Sequence, residues 1–309
     1  STYSSDSTAG IGVLVQDSSG SWLGIAHGLK SIGVPFRVVD TIDEALQHEV
    51  ILVYPSITGS NTAPETLSAL AQHVRDGNTL IAFSVFGGGM PFIFGFETTN
   101  ERNDLLAIEF NPDALPPDFF LDAVESTIPL SSAEIVEPMA GVSYEGLKHA
   151  PVASYDDGSA AITHNFFETE NGTGHAYAIG FDFGHFIQRA HNARFFRLAG
   201  SYVNEYQPKL DSLLRFIAEV HRQGDNEAVE FLTVPFNREF TALLTHDIDF
   251  SRSIRNVPAY ADFEYSQGVP ATYFIQTKYI TDYNDSRFFS PESEAILRAI
   301  DAQGMEIAS

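Results

Sequence analysis

Between residues 10 and 86 the chain alternates short apolar runs with stretches of helical spacing, and this alternation restricts the fold more than any other feature. Residues 11–15, 35–39, 50–54 and 80–85 are apolar runs of strand length. Over 22–32, Leu23, Ala26 and Leu29 recur at helical spacing and Gly33 stops the pattern. Over 62–75, Pro64 falls in the first turn, Leu67, Leu70, Ala71 and Val74 share one face, and Gly77 follows as terminator. Strands joined through helices pair in parallel, and such a sheet needs cover on both faces. The pattern therefore predicts an α/β domain, a parallel sheet with helices on both sides.

The rhythm changes near residue 104. Up to about 162, short apolar stretches are broken by Pro and Gly. Asp156-Asp-Gly-Ser159 and Glu170-Asn-Gly-Thr173 are then hairpin signals between runs at 152–155, 160–166 and 175–183. Helical spacing returns over 191–224 through Leu213, Leu214, Ile217 and Val220. The polar stretch beginning at Gln223 predicts a linker over 223–239, after a domain at 10–222 and a polar leader at 1–9. A length of 309 residues suits two domains at about 150 residues each.

On Leu80-Ile-Ala-Phe-Ser-Val-Phe-Gly-Gly-Gly89 and Gly174-His-Ala-Tyr-Ala-Ile-Gly-Phe-Asp182, residues 10–222 resemble the class I glutamine amidotransferase-like fold, found as a non-catalytic domain in carbohydrate-active enzymes. Active members carry a cysteine after the fourth strand. Here that region reads Ser84-Val85-Phe86 and the chain has no cysteine, which argues against amidotransferase chemistry. Gly10-Ile-Gly12 precedes its strand and so is no dinucleotide fingerprint. Gly87-Gly-Gly89 either lets a ligand approach the backbone or only permits a tight turn, and the turn is the commoner use. Phe86, Phe92, Phe94 and Phe96 read as a sugar-stacking surface or, more often for such a cluster, as core. Asp182, His185, Arg189 and His191 form a candidate polar site, against the plainer reading of a capped helix start.

Charge and composition remove whole classes of function. Lys and Arg total 17 against 41 Asp and Glu, a net charge of −24. Nucleic-acid binding rests on neutralising phosphates with basic side chains, so it is disfavoured, as are anionic membrane surfaces. Without cysteine there are no disulfides, thiolate zinc sites or thiol nucleophile. No apolar run approaches the ~20 residues that span a bilayer. The sequence leads to an expectation of an extracellular, periplasmic or cell-envelope protein. Asn171-Gly-Thr173 and Asn284-Asp-Ser286 fit the glycosylation pattern, a triplet that chance produces often.

The chemistry points to Phe240-Thr-Ala-Leu-Leu-Thr-His-Asp-Ile-Asp-Phe250. The apolar run at 242–244 reads as a buried strand that ends in polar residues. Asp247 and Asp249 are two apart, so extended backbone turns both carboxylates to one side. Like charges held together repel, and a divalent cation resolves the conflict; the plain alternative is that both acids only cap a turn. Downstream, a helix over 257–267 ended by Gly268, a strand over 269–275, a helix over 291–303 ended by Gly304 and a final strand complete the order.

Thr245-His-Asp-Ile-Asp249, Gly268-Val-Pro-Ala-Thr-Tyr-Phe274 and Gly304-Met-Glu-Ile-Ala-Ser309 together resemble the polysaccharide deacetylase family, with its distorted (β/α) barrel. The resemblance implies that 240–309 is the opening portion of that barrel. It implies Asp249 as a metal ligand, Asp247 as general base, and a divalent metal, most commonly zinc, completed by two histidines expected beyond Ser309. Thr245 and His246 belong to the motif without a role that the residues themselves define. The implied activity is removal of N-acetyl groups from an amino-sugar polysaccharide. The implied state of this segment alone is incomplete and inactive, with the missing C-terminal portion of the domain as a partner. A non-catalytic carbohydrate-binding or scaffolding unit is the alternative. A glycoside hydrolase fits poorly, since its carboxylates face each other about 5 Å or more apart across a sugar ring.

Overall fold

The computed structural model describes residues 9–131, 138–170, 172–192, 209–232, 234, 238, 240–276 and 289–309. The leader at 1–8, Asn171, the triplet at 284–286 and the side chain of His191 lie outside the described residues. The chain divides into two compact units, Ser1–Thr233 and Val234–Ser309.

The first unit opens with β1 (Ile11–Val15), α1 (Trp22–Ser31), β2 (Phe36–Val39), α2 (Ile42–Ala45), β3 (Val50–Tyr54), α3 (Pro64–Arg75), β4 (Thr79–Phe83) and α4 (Pro91–Phe94). Antiparallel elements follow: β5 (Thr98–Leu105), β6 (Ala107–Phe110), β7 (Thr127–Pro129), β8 (Met139–Glu145), β9 (Ala153–Tyr155), β10 (Ala160–Thr169) and β11 (Gly172–Ile179). Then come α5 (Phe183–Asn192) and α6 (Leu210–Gly224). The strand order β2-β1-β3-β4-β11-β10-β9-β6-β7 runs parallel from β2 through β11 and antiparallel beyond it. β11 enters as one arm of a hairpin with β10 yet extends the parallel sheet by pairing with β4.

Strand alternation divides the core. Val50, Leu52 and Tyr54 of β3, with Ile81 and Phe83 of β4, pack with residues of α1, α5 and α6. Ile51 and Val53, with Leu80 and Ala82, pack with Leu67, Leu70 and Val74 of α3. Successive residues of a strand face opposite sides, so runs of five buried residues in β3 and β4 are what a doubly covered sheet requires. On the first face α1 and α5 approach at two glycines: a Cβ on Gly24 would lie 2.0 Å from the carbonyl oxygen of Gly184.

The segment after α6 does not leave this unit at once. Gly10 N donates to Asp225 Oδ2 at 2.9 Å, Asn226 N to Glu49 Oε2 at 2.8 Å, and Phe231 N to the Gly33 carbonyl at 2.7 Å. Residues 225–231, inside the stretch read from sequence as linker, are thus bonded to the first unit.

The second unit contains β12 (Thr245–Ile248), a 3-10 turn at Ser251–Asn256, α7 (Val257–Gln267), β13 (Thr272–Ile275), α8 (Pro291–Ala302) and β14 (Glu306–Ala308). Its strands pair in parallel in the order β12-β13-β14, and among the described residues they do not close into a barrel. Ile248, Tyr273 and Ile275 meet Ile254, Val257, Ala261, Leu297 and Ile300 in a separate core. The buried strand expected at 242–244 is corrected: Leu243 is 87% exposed and the ladder starts at Thr245. The reason lies in the partner. β13 begins at Thr272, which pairs with Thr245, so residues before Thr245 have no ladder to join beyond the bond from Thr272 N to the Leu244 carbonyl.

Buried histidines make the first unit acid-sensitive. Burial pushes His73 down to about 4, and burial with the neighbouring imidazoles of His175 and His149 pushes His164 down to about 3. Unfolding returns each to about 6.5, so between that value and the folded one the unfolded chain binds protons the folded chain refuses. Stability is fully present above about pH 6.5 and is lost as pH falls below it. Urea denaturation at pH 7.5 and pH 5 should show a loss of about 2 kcal/mol attributable to His73. His73→Gln, which keeps a donor for the Glu49 carbonyl, should reduce that loss; an unchanged loss would contradict this origin.

Candidate functional site

β12 turns two side chains toward the helices and its others away. His246 pairs across the ladder with Tyr273 and then Ile307, and Ile248 with Ile275. This row faces the core. The intervening row, Asp247, Phe274 and Ala308, lies on the other face, as does the row Thr245, Thr272 and Glu306. There Thr272 Oγ1 donates to Glu306 Oε2 at 2.5 Å.

Asp247 is exposed near the carboxyl end of β12 and Asp249, also exposed, follows the strand directly. Ile248 between them is buried, and Phe250 keeps extended dihedrals (φ −130°, ψ 144°). The ladder places Asp247 on the side away from the helices. Both are oxygen donors suited to a divalent cation. Among the described residues, no group of three or more His, Cys, Asp or Glu side chains is gathered in a way that could hold a metal.

The opposite face holds an arrangement that the sequence reading did not find. Glu264, on α7, is only 5% exposed and uses both carboxylate oxygens. His246 Nε2 lies 2.5 Å from Oε1, and Tyr273 OH donates to Oε2 at 2.7 Å. The imidazole also stacks on the Tyr273 ring, with centroids 4.7 Å apart and planes 25° apart. Burial, followed by the bond to the Glu264 carboxylate, raises the Tyr273 phenol well above its ordinary value, so it remains a donor. The available signal was helical spacing. Val257, Ala261 and Glu264 fall at i, i+4 and i+7, which puts a carboxylate on the buried face of α7.

In the first unit the candidate polar residues have structural partners. Asp182 Oδ1 accepts from Tyr54 OH at 2.7 Å and from His185 N at 2.9 Å, which caps α5. His185 is exposed and Arg189 half-buried. The phenylalanine cluster divides: Phe94 and Phe96 are buried, whereas Phe86 and Phe92 are exposed. Gly87, Gly88 and Gly89 all have positive φ (128°, 66° and 76°), as a tight turn requires. Ser84, directly after β4, also has positive φ (43°).

No family model and no curated relative matches the chain. Three solved structures show low similarity. Agd3, a carbohydrate deacetylase, is 12% identical over 87% of this chain and 42% of its own, with a TM-score of 0.44. A β-galactosidase from Bacillus circulans sp. alkalophilus is 9% identical over 59% and 30%, with a TM-score of 0.40. A β-galactosidase from the Antarctic haloarchaeon Halorubrum lacusprofundi is 12% identical over 56% and 28%, with a TM-score of 0.38. The chain spans less than half the length of each of these proteins.

Proposed function

We propose that the second unit carries part of a metal-dependent deacetylase site acting on N-acetyl groups of an amino-sugar polysaccharide, with Asp249 as a metal ligand and Asp247 as the general base. The observation that supports this most is the exposed Asp-x-Asp pair at the carboxyl end of β12, the first strand of a parallel β-α-β-α-β unit. In βα-barrel enzymes that end of the strands is where reactive side chains assemble. The match of Thr245-His-Asp-Ile-Asp249 and of Gly268-Val-Pro-Ala-Thr-Tyr-Phe274 to the deacetylase motifs supports the same reading. The net charge of −24 also suits a polymer whose deacetylated amines are cationic.

The acids fit a zinc site in kind but not in number. A catalytic zinc takes about three protein ligands, so two more, expected to be imidazoles, would come from outside the described residues. A divalent ion held by Asp249 would supply Lewis acidity and lower the pKa of water toward about 7. Asp247 would accept the proton of the water attacking the acetamide carbonyl. Breakdown of the resulting adduct would cleave the C–N bond, with the proton taken from water passing to the leaving nitrogen, and yield acetate and a free amine. Such a substrate fits a protein working at or outside the cell envelope.

Calorimetric titration of zinc into the longest form the gene encodes tests the ligand assignment. One site is expected, weakened at least about tenfold by Asp249→Ala. Equal affinity in both proteins contradicts it. Acetate release from an N-acetylated polymer, measured in the longest form the gene encodes, tests the base. Asp247→Asn should keep zinc binding and lower the rate by about 10²–10⁴-fold. Full activity in that variant removes the role, and polymer binding without metal or acetate release would favour a carbohydrate-binding unit.

A further inference from the structure

We infer that Glu264 is a positioning residue for the Asp247–Asp249 pair, acting through His246 and Tyr273; the inference rests on the deacetylase reading for its purpose but not for its geometry. Among the described residues, β12 is bonded through its ladder to β13 alone. Of its four residues only His246 and Ile248 face the helices. Ile248 is held by apolar contact, which has no preferred direction and tolerates sliding. His246 is held by a directed bond to a carboxylate that is itself fixed by Tyr273 OH from the neighbouring strand. Glu264 therefore ties β12, β13 and α7 together at one point, one residue before Asp247.

The consequence for the acids follows from the pleat. A one-residue slip of β12 against β13 would turn Asp247 into the core and His246 out of it. The Glu264 carboxylate opposes that slip on both counts, because it would lose its imidazole partner and face a second carboxylate. Removing the carboxylate leaves two polar groups, His246 Nε2 and Tyr273 OH, without the partner they were buried against. The strand then keeps its backbone ladder but loses the contact that sets its register, and the acids at its carboxyl end lose their fixed placement.

Two readouts on the longest form the gene encodes decide the matter, one of them independent of any metal. In the wild type at pH 7.5, ¹⁵N NMR should show His246 Nε2 protonated. In Glu264→Gln, whose amide nitrogen can face the imidazole, the Nε2 signal should move toward the unprotonated type, a change that simple packing loss would not produce. In Glu264→Ala, the amides of 246–249 should exchange with solvent about tenfold faster relative to those of β13 and β14, and zinc affinity should fall about tenfold. An unprotonated Nε2 in the wild type, or β12 exchange within twofold of wild type in Glu264→Ala, overturns the positioning role. So does faster exchange with unchanged zinc affinity. If the wild type binds no zinc, the metal assignment of the previous subsection fails, while the NMR and exchange results still decide whether Glu264 positions the strand.

Discussion

A β-strand shows its side chains alternately to two faces, and β12 is where this rule bears on function. Because His246 and Ile248 must meet the helices, Asp247 must point away from them. No separate device is needed to expose the acid; it is exposed because its neighbours are buried. The same rule builds the first unit, where alternate residues of β3 and β4 serve two different helix layers. There both faces are covered and the strands are apolar throughout. In the second unit one face carries Asp247, Thr272 and Glu306, and the strands are correspondingly mixed.

That mixture makes the second unit depend on directed polar contacts. Its core joins three short strands to two helices, and apolar contact alone gives β12 little reason to prefer one register against β13. The Glu264 carboxylate is costly to bury and is compensated only when both oxygens are bonded. Once His246 and Tyr273 satisfy it, the same cost becomes a penalty against every register that breaks those bonds. The first unit uses a comparable device at Asp182, which accepts from Tyr54 of β3 and caps α5, and so fixes a helix start against the sheet.

Much of this was legible in the sequence, for physical reasons that also explain the rest. The apolar residues of β1, β3, β4 and α3 satisfy one period each, and both the parallel sheet and its two helix layers follow from them. The hairpin between β10 and β11 was legible from its turn residues. Its pairing with β4 was not, since nothing local in Gly172–Ile179 names a partner about ninety residues earlier. The run at 242–244 misled because apolar residues read as buried strand, whereas strand formation needs a backbone partner and β13 supplies one only from Thr272. Asp247 and Asp249 stood out as a motif. Glu264 did not, because one acid in a helix reads as solvent-facing until its spacing from Val257 and Ala261 is counted. His246 had no definable role until that carboxylate was placed beside it.

The proposed deacetylase site requires a divalent cation at the carboxyl end of β12. Anomalous data at the zinc edge, from a zinc-grown crystal of the longest form the gene encodes, would locate it. A single strong peak is expected about 2.0–2.2 Å from a carboxylate oxygen of Asp249. A zinc peak elsewhere in the molecule with none at Asp249 would contradict it.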